Sequence, residues 1–113
     1  MEPDDVAFTI EVAEGPAGAV ISPHGELDLA TQGELRAVLD EHAARGGMTL
    51  DLAALRFMDT SGLRLVLETA EAARRDGFAF TVLPGRESVQ RLFEVAGVTD
   101  LVPFGPPPDA GAA

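Results

Sequence analysis

The sequence predicts an α/β fold: a single small domain with a four- to five-stranded mixed sheet and crossover helices. Three observations predict it. From Gly25 onward, short runs with strand character alternate with longer runs that carry apolar residues at i, i+3, i+4. That alternation argues for parallel strands joined by crossover helices. Ahead of it, two strand-like runs are separated only by turn chemistry, which makes an antiparallel hairpin. Finally, the chain has 113 residues, 46% of them hydrophobic. This suits one domain that buries a core of its own.

Each element has its own signal. Phe8-Thr9-Ile10-Glu11-Val12 alternates with period two and reads as a half-buried strand. Ala13 to Gly18, with two glycines around Pro16, reads as the turn, and Ala19-Val20-Ile21-Ser22 as the returning strand. Pro23 cannot donate to a ladder, so it marks an edge, a bulge or an interruption. Gly25-Glu26-Leu27-Asp28-Leu29 continues extended and then turns, with Asp28 or Thr31 as candidate cap of the next helix. In that helix Leu35, Val38, Leu39 and His42 form one stripe, and Gly46-Gly47 ends it. Met48, Leu50 and Leu52 alternate in the following strand. Leu63, Val66, Leu67 and Ala70 stripe a second helix, which Arg74 and Arg75 suit at its C-terminal end and Gly77 stops. Phe78 to Leu83 reads as a well-buried strand, broken by Pro84-Gly85. Val89, Leu92, Phe93 and Ala96 stripe a third helix, with Gly97 past its end. The expected organisation is a domain over 1–103 and a disordered Pro/Ala-rich tail over 104–113. Leu35, Val38, Leu39, Leu50, Leu52, Leu63, Val66, Leu67, Phe80, Val82, Leu92 and Phe93 are expected to be mostly buried.

Composition excludes several functions. The chain has no cysteine, so disulfides and thiolate metal sites are excluded and a reducing compartment is acceptable. No apolar run approaches the ~20 residues of a membrane span. Met1-Glu2-Pro3-Asp4-Asp5 is acidic, unlike a secretory signal, so the expected location is cytoplasmic. A net charge of −11 is wrong for phosphate backbones and for anionic lipid, so neither nucleic acid nor membrane is an expected partner. Such a surface serves solubility first, and encounter with a basic protein second.

Phe57-Met58-Asp59-Thr60-Ser61-Gly62-Leu63 stands where a strand hands over to the second helix, the kind of corner at which unpaired N–H groups gather ligands and modifications. Asp59-Thr60-Ser61-Gly62 is similar to the Asp-Thr-Gly of aspartic proteases, but the order differs, and that chemistry needs two carboxylates on β-rich lobes. Ser61 as a nucleophile needs a histidine base. His42 lies on an apolar stripe and reads as a packed side chain, and His24 reads as a turn residue. No phosphate loop with Lys occurs, and Asp51 and Asp59 make a poor metal pair. Two readings stay open. Asp59, Thr60 or Ser61 is the helix N-cap, worth about 1 kcal/mol. Alternatively, a hydroxyl at an exposed helix N-terminus carries a phosphate as a switch.

The stretch Phe57 to Leu63 resembles the phosphorylation motif of anti-sigma factor antagonists, which belong to the STAS domain family. Gly25-Glu26-Leu27-Asp28, with Thr31 three residues on, resembles that family's second signature. The likeness runs from about Phe8 to Leu101. It implies a STAS-like fold and a protein without catalytic activity, cofactor or metal. It also implies a cytoplasmic anti-sigma factor partner that is itself a serine kinase, whose capture frees a sigma factor for transcription. The hydroxyl before the glycine, Ser61, would be the phosphorylation site, reversed by a metal-dependent serine phosphatase. Thr60 stands where serine is common and is the second candidate acceptor. Asp28, Thr31, Asp59, Thr60, Ser61, Gly62 and Leu63 would form the partner-binding region. The runner-up within the family is an unphosphorylated STAS subunit of a lipid-transport or stress-sensing assembly.

Overall fold

In the computed structural model, which describes residues 7–15 and 18–106, the alternating runs become a five-stranded mixed sheet with three α-helices. Strand β1 (Thr9–Gly15) pairs antiparallel with β2 (Gly18–Leu27) in a register that sets Gly15 opposite Gly18. The predicted turn is therefore shorter than expected, since Ala13 and Glu14 belong to the strand. Its tip, Pro16 and Ala17, lies outside the described residues.

Strand β2 is one element of 10 residues rather than two. On the side away from β1 it pairs in parallel with β3 (Gly47–Asp51) up to Ile21 and with β4 (Leu55–Met58) from Gly25. Pro23 lies in the gap between those two partners, where a missing N–H breaks no ladder bond on that side. The register shifts just beyond it, between Gly25 and Glu26. β3 continues the sheet to β5 (Ala79–Leu83), and Phe104 adds a parallel bridge at Val82. β4 is the strand the periodicity did not predict. Only Leu55 and Met58 are buried in it, so its pattern does not alternate.

Helix α1 (Gln32–Ala44) packs on β2, β3 and α2 (Thr60–Asp76), and α3 (Glu87–Ala96) packs on β4 and on a short 3-10 turn at Thr99–Leu101. The left-handed residues Gly77 and Gly97 end α2 and α3, as the sequence predicts. One core joins sheet and helices. It contains Leu35, Leu39, Leu50, Leu52, Leu63, Val66, Phe80, Val82 and Phe93, with Val38, Leu67 and Leu92 half-buried against it.

Two expectations are corrected here. His24 is not a turn residue: it sits within β2 opposite Thr9, its Nε2 3.0 Å from Glu11 Oε1. The domain also does not stop at 103. Phe104 is half-buried, with its ring edge-on to Phe93 at 5.1 Å, and Gly105 N donates to Val82 O at 3.1 Å. Apolar area and two ladder bonds hold this segment, as Pro103 O also accepts from Val82 N. The rest of the expected tail, from residue 107, lies outside the described residues.

Candidate functional site

The site is built where β2 and β4 end side by side. Leu27 pairs with Met58, and Asp59 N donates to Leu27 O at 3.1 Å, so the last ladder bond already belongs to the corner residue. Asp59 is extended and acts as the N-cap of α2. Its Oδ1 accepts from Ser61 N at 2.8 Å and more weakly from Gly62 N at 3.4 Å. Of the three cap candidates in the sequence, the structure selects Asp59. Its carboxylate is thereby committed to two orphan N–H groups of the helix.

Gly62 is buried for a steric reason. A Cβ at this position would lie 2.5 Å from Met58 Cγ and 2.9 Å from Leu27 Cδ2. The first turn of α2 therefore rests directly on the two strand ends. Leu63 is also buried, within the core. Gly62 and Leu63 thus position the corner rather than present a contact surface. Thr60 is exposed, and Ser61 is half-buried on the wall of a groove between the N-terminal halves of α1 and α2.

Asp28 and Thr31 shape the neighbouring loop. Asp28 Oδ1 accepts from Ala30 N at 3.0 Å and Thr31 N at 3.2 Å. Thr31 Oγ1 accepts from Asp28 N at 3.0 Å and donates to Glu26 O at 2.8 Å. Neither side chain caps α1, whose N-cap Thr31 makes no side-chain cap bond. Both are instead spent on closing the turn, and the turn lifts Leu29 into solvent at 76% exposure.

The groove, about 270 Å³ in volume, is lined by Ser61 and Thr60, Leu29 and Gln32 from the α1 side, and the charged Arg36, Arg64 and Glu68. Arg36 Nη2 donates to Glu68 Oε1 at 2.7 Å across it. Sequence reasoning missed Leu29, Arg36, Arg64 and Glu68. Arg64 was findable, since i and i+3 are neighbours on a helix, whereas Arg36 required the packing of α1 on α2. Phe57, on β4 just before the corner, is 48% exposed.

Neither histidine lines this groove. His42 is a packed side chain, 5% exposed, with Nδ1 3.1 Å from Val38 O and Nε2 3.6 Å from Glu14 Oε2. At that last distance Nε2 makes no hydrogen bond. Among the described residues no group of three or more His, Asp or Glu stands close enough to hold a metal ion, and no helix is long and apolar enough to cross a membrane.

A family model described as "Mlab, STAS domain" matches residues 10–103. An anti-sigma-B factor antagonist from Staphylococcus epidermidis is 34% identical over 80 residues, spanning 69% of this chain and 74% of that protein. Among solved structures, an anti-sigma factor antagonist from Mycobacterium paratuberculosis superposes with a TM-score of 0.80 at 24% identity, covering 98% of this chain and 94% of the other. The Bacillus protein SpoIIAA in its phosphorylated form gives 0.66 at 22% identity, over 94% and 97% of the two chains. The last two likenesses speak for the fold; the match of the family model over most of the chain, together with the sequence relative, carries the family. This chain belongs to the STAS domain family.

Proposed function

We propose that the chain is an anti-sigma factor antagonist, a regulatory binding protein rather than an enzyme. It binds an anti-sigma factor that is itself a serine kinase, and so frees a sigma factor for transcription in the cytoplasm. The kinase moves the γ-phosphoryl group of ATP onto Ser61 Oγ, which gives up its proton, and ADP leaves. A serine phosphatase hydrolyses the phosphoester and restores the binding form. The observation that carries this reading is the placement of Ser61. It stands in the first turn of α2, fixed from below by Gly62 and from behind by the Asp59 cap, on the wall of an open groove. The names of the relatives support the same reading.

A phosphate at this position adds about −1.5 to −2 charges. Set against an acidic or apolar partner surface, it costs several kcal/mol, or roughly a hundredfold or more in affinity. Calorimetry against the anti-sigma factor, with mass spectrometry after kinase treatment, tests this. Ser61→Ala is expected to take no phosphate and still bind, and Ser61→Asp to bind poorly. A phosphate on Ser61→Ala moves the acceptor to Thr60. Equal affinity of the modified and unmodified chains overturns the switch.

A second reading, an unphosphorylated subunit of a lipid-transport or stress-sensing assembly, is favoured by one observation. The matching family model carries the name Mlab rather than that of an antagonist. On that reading, kinase and ATP leave the mass of the chain unchanged.

A further inference from the structure

Ser61 shares its groove with two guanidinium groups and one carboxylate. Arg64 follows Ser61 by three residues on α2, so the two side chains are neighbours on the helix surface. Arg64 is exposed and forms no ion pair among the described residues. Arg36 reaches the same groove from α1, where it is held by Glu68 at 2.7 Å. That pair is about half exposed on both sides, 43% and 49%, and such surface pairs contribute little, about 0–1 kcal/mol. An ion pair this weak is readily exchanged for a dianion. Arginine is also the side chain best matched to phosphate, because its planar fork donates two parallel N–H···O bonds.

We propose that Arg64 and Arg36 form a built-in receiver for a phosphate on Ser61. Arg64 takes one face of the phosphate without giving up a partner. Arg36 turns from Glu68 to the other, so that the modification rearranges the α1–α2 groove as well as adding charge. This rests on the reading of Ser61 as the modified residue and names what the modification does locally. The consequence is specific. The phosphate is partly neutralised on its own protein and occupies the groove, so a partner loses the shape of that surface along with its charge. Glu68 then faces the phosphate without its partner and opposes it, which sets an upper bound on how tightly the receiver closes.

The test uses the full chain with phosphoserine placed at position 61 during translation, so it does not depend on any kinase. The second ionisation of the phosphate, near pH 6, is followed by phosphorus NMR. The sign follows from charge: guanidinium groups favour the dianion and lower this pKa. Arg64→Gln is expected to raise it by roughly 0.5 unit, a neighbouring-charge effect discounted for exposure. Arg36→Gln raises it by less. Glu68→Gln lowers it, by removing the opposing charge and freeing Arg36. Arg91→Gln, on the exposed face of α3, leaves it unchanged. Opposite shifts from Arg64→Gln and Glu68→Gln cannot come from loss of fold. Titration curves for Arg64→Gln and Arg36→Gln that coincide with the parent overturn the receiver, even where the phosphate still blocks the partner. Conversely, a phosphate that responds to Arg64 yet leaves partner affinity unchanged supports the receiver and sinks the switch reading on which it was built.

Discussion

Two of the strand-to-helix corners of this protein, β2–α1 and β4–α2, lie side by side and start from the same place, the paired residues Leu27 and Met58, yet they are made differently. At the end of β4 there is no loop: Asp59 alone separates strand from helix, and its carboxylate caps α2. At the end of β2 four residues intervene, and Asp28 and Thr31 spend their side chains on one another and on the turn backbone. Each corner has one aspartate, but in one it fixes the helix and in the other the loop. The glycines in the first turns differ in the same sense. Gly62 in α2 has no room for a Cβ, whereas a Cβ on Gly33 in α1 would meet nothing within 4 Å. The lesson is that position on the sheet does not set rigidity. Direct seating on strand ends does, and that seating is what holds Ser61 at a defined place.

The largest effect is expected where the seating is removed. Gly62→Val drives a branched side chain into Met58 and Leu27, an overpacking that costs about 3 kcal/mol, measured by urea denaturation. A variant as stable as the parent would mean that α2 is free to ride up off the strands, and the contrast between the corners would be lost.

Removing each aspartate separates the two jobs. Asp59→Ala is expected to cost about 1 kcal/mol, the usual value of an N-cap, and Asp59→Asn much less because it keeps an acceptor oxygen. Asp28→Ala is expected to cost a similar amount, about 1 kcal/mol, through bonds lost in the loop. Amide hydrogen exchange tells them apart. Asp59→Ala speeds exchange at Ser61 and Gly62, and Asp28→Ala at Ala30 and Thr31. Exchange at Ser61 that follows Asp28 instead would show that the corners form a single unit.

How much of this was legible in the sequence depends on the range of the interaction concerned. Stripes such as Leu63, Val66 and Ala70 repeat within one element, so the helices, the glycine ends of α2 and α3 and most of the core could be read directly, whereas α1 ends on Arg45 and Gly47 already belongs to β3. Strand β4 could not, because the exposed pair Arg56-Phe57 breaks its alternation and only its pairing with β2 makes it a strand. Phe104 followed the same rule. Next to three prolines it looks like tail, and its place is set by Phe93 and Val82, which are remote in sequence. At the site, a cap among Asp59, Thr60 and Ser61 was legible because capping is local, but which of the three serves is decided only by the hydrogen bonds from Ser61 N and Gly62 N to Asp59. The roles of Asp28 and Thr31 were half legible: their spacing is a turn signature as much as a cap signature, and only the hydrogen bonds distinguish the two. Arg36 and Glu68 meet across two helices and left no mark in either.

A smaller effect of opposite sign is expected at the other glycine. Gly33→Ala has open space and no left-handed backbone to lose, so the gain in helix propensity is felt alone, about 0.5 kcal/mol of added stability. Measured beside Gly62→Val, it turns two glycines of the same sequence class into substitutions of opposite sign. A loss of stability on Gly33→Ala would mean that α1 begins under a constraint as tight as that of α2.

The smallest effect on stability is expected at Leu29, and there the comparison bears on function. Period-two alternation places Leu29 on the same face as Leu27, but the turn closed by Asp28 and Thr31 rotates it outward. Leu27 is fully buried and Leu29 is 76% exposed. Leu27→Ala therefore removes core packing and costs about 3 kcal/mol, whereas Leu29→Ser changes stability by less than about 0.5 kcal/mol. An exposed leucine on the rim of the Ser61 groove is held there by four hydrogen bonds that do nothing for the helix behind it. If the groove is where the anti-sigma factor docks, Leu29→Ser weakens that affinity about tenfold, the value of burying a side chain of this size in part. Calorimetry on the unphosphorylated chain measures it, with Val95→Ser on α3, equally exposed at 77%, as the matched control. Unchanged affinity for Leu29→Ser would move the docking surface away from the loop. The β2–α1 corner would then be a support for its neighbour, rather than the second half of the site.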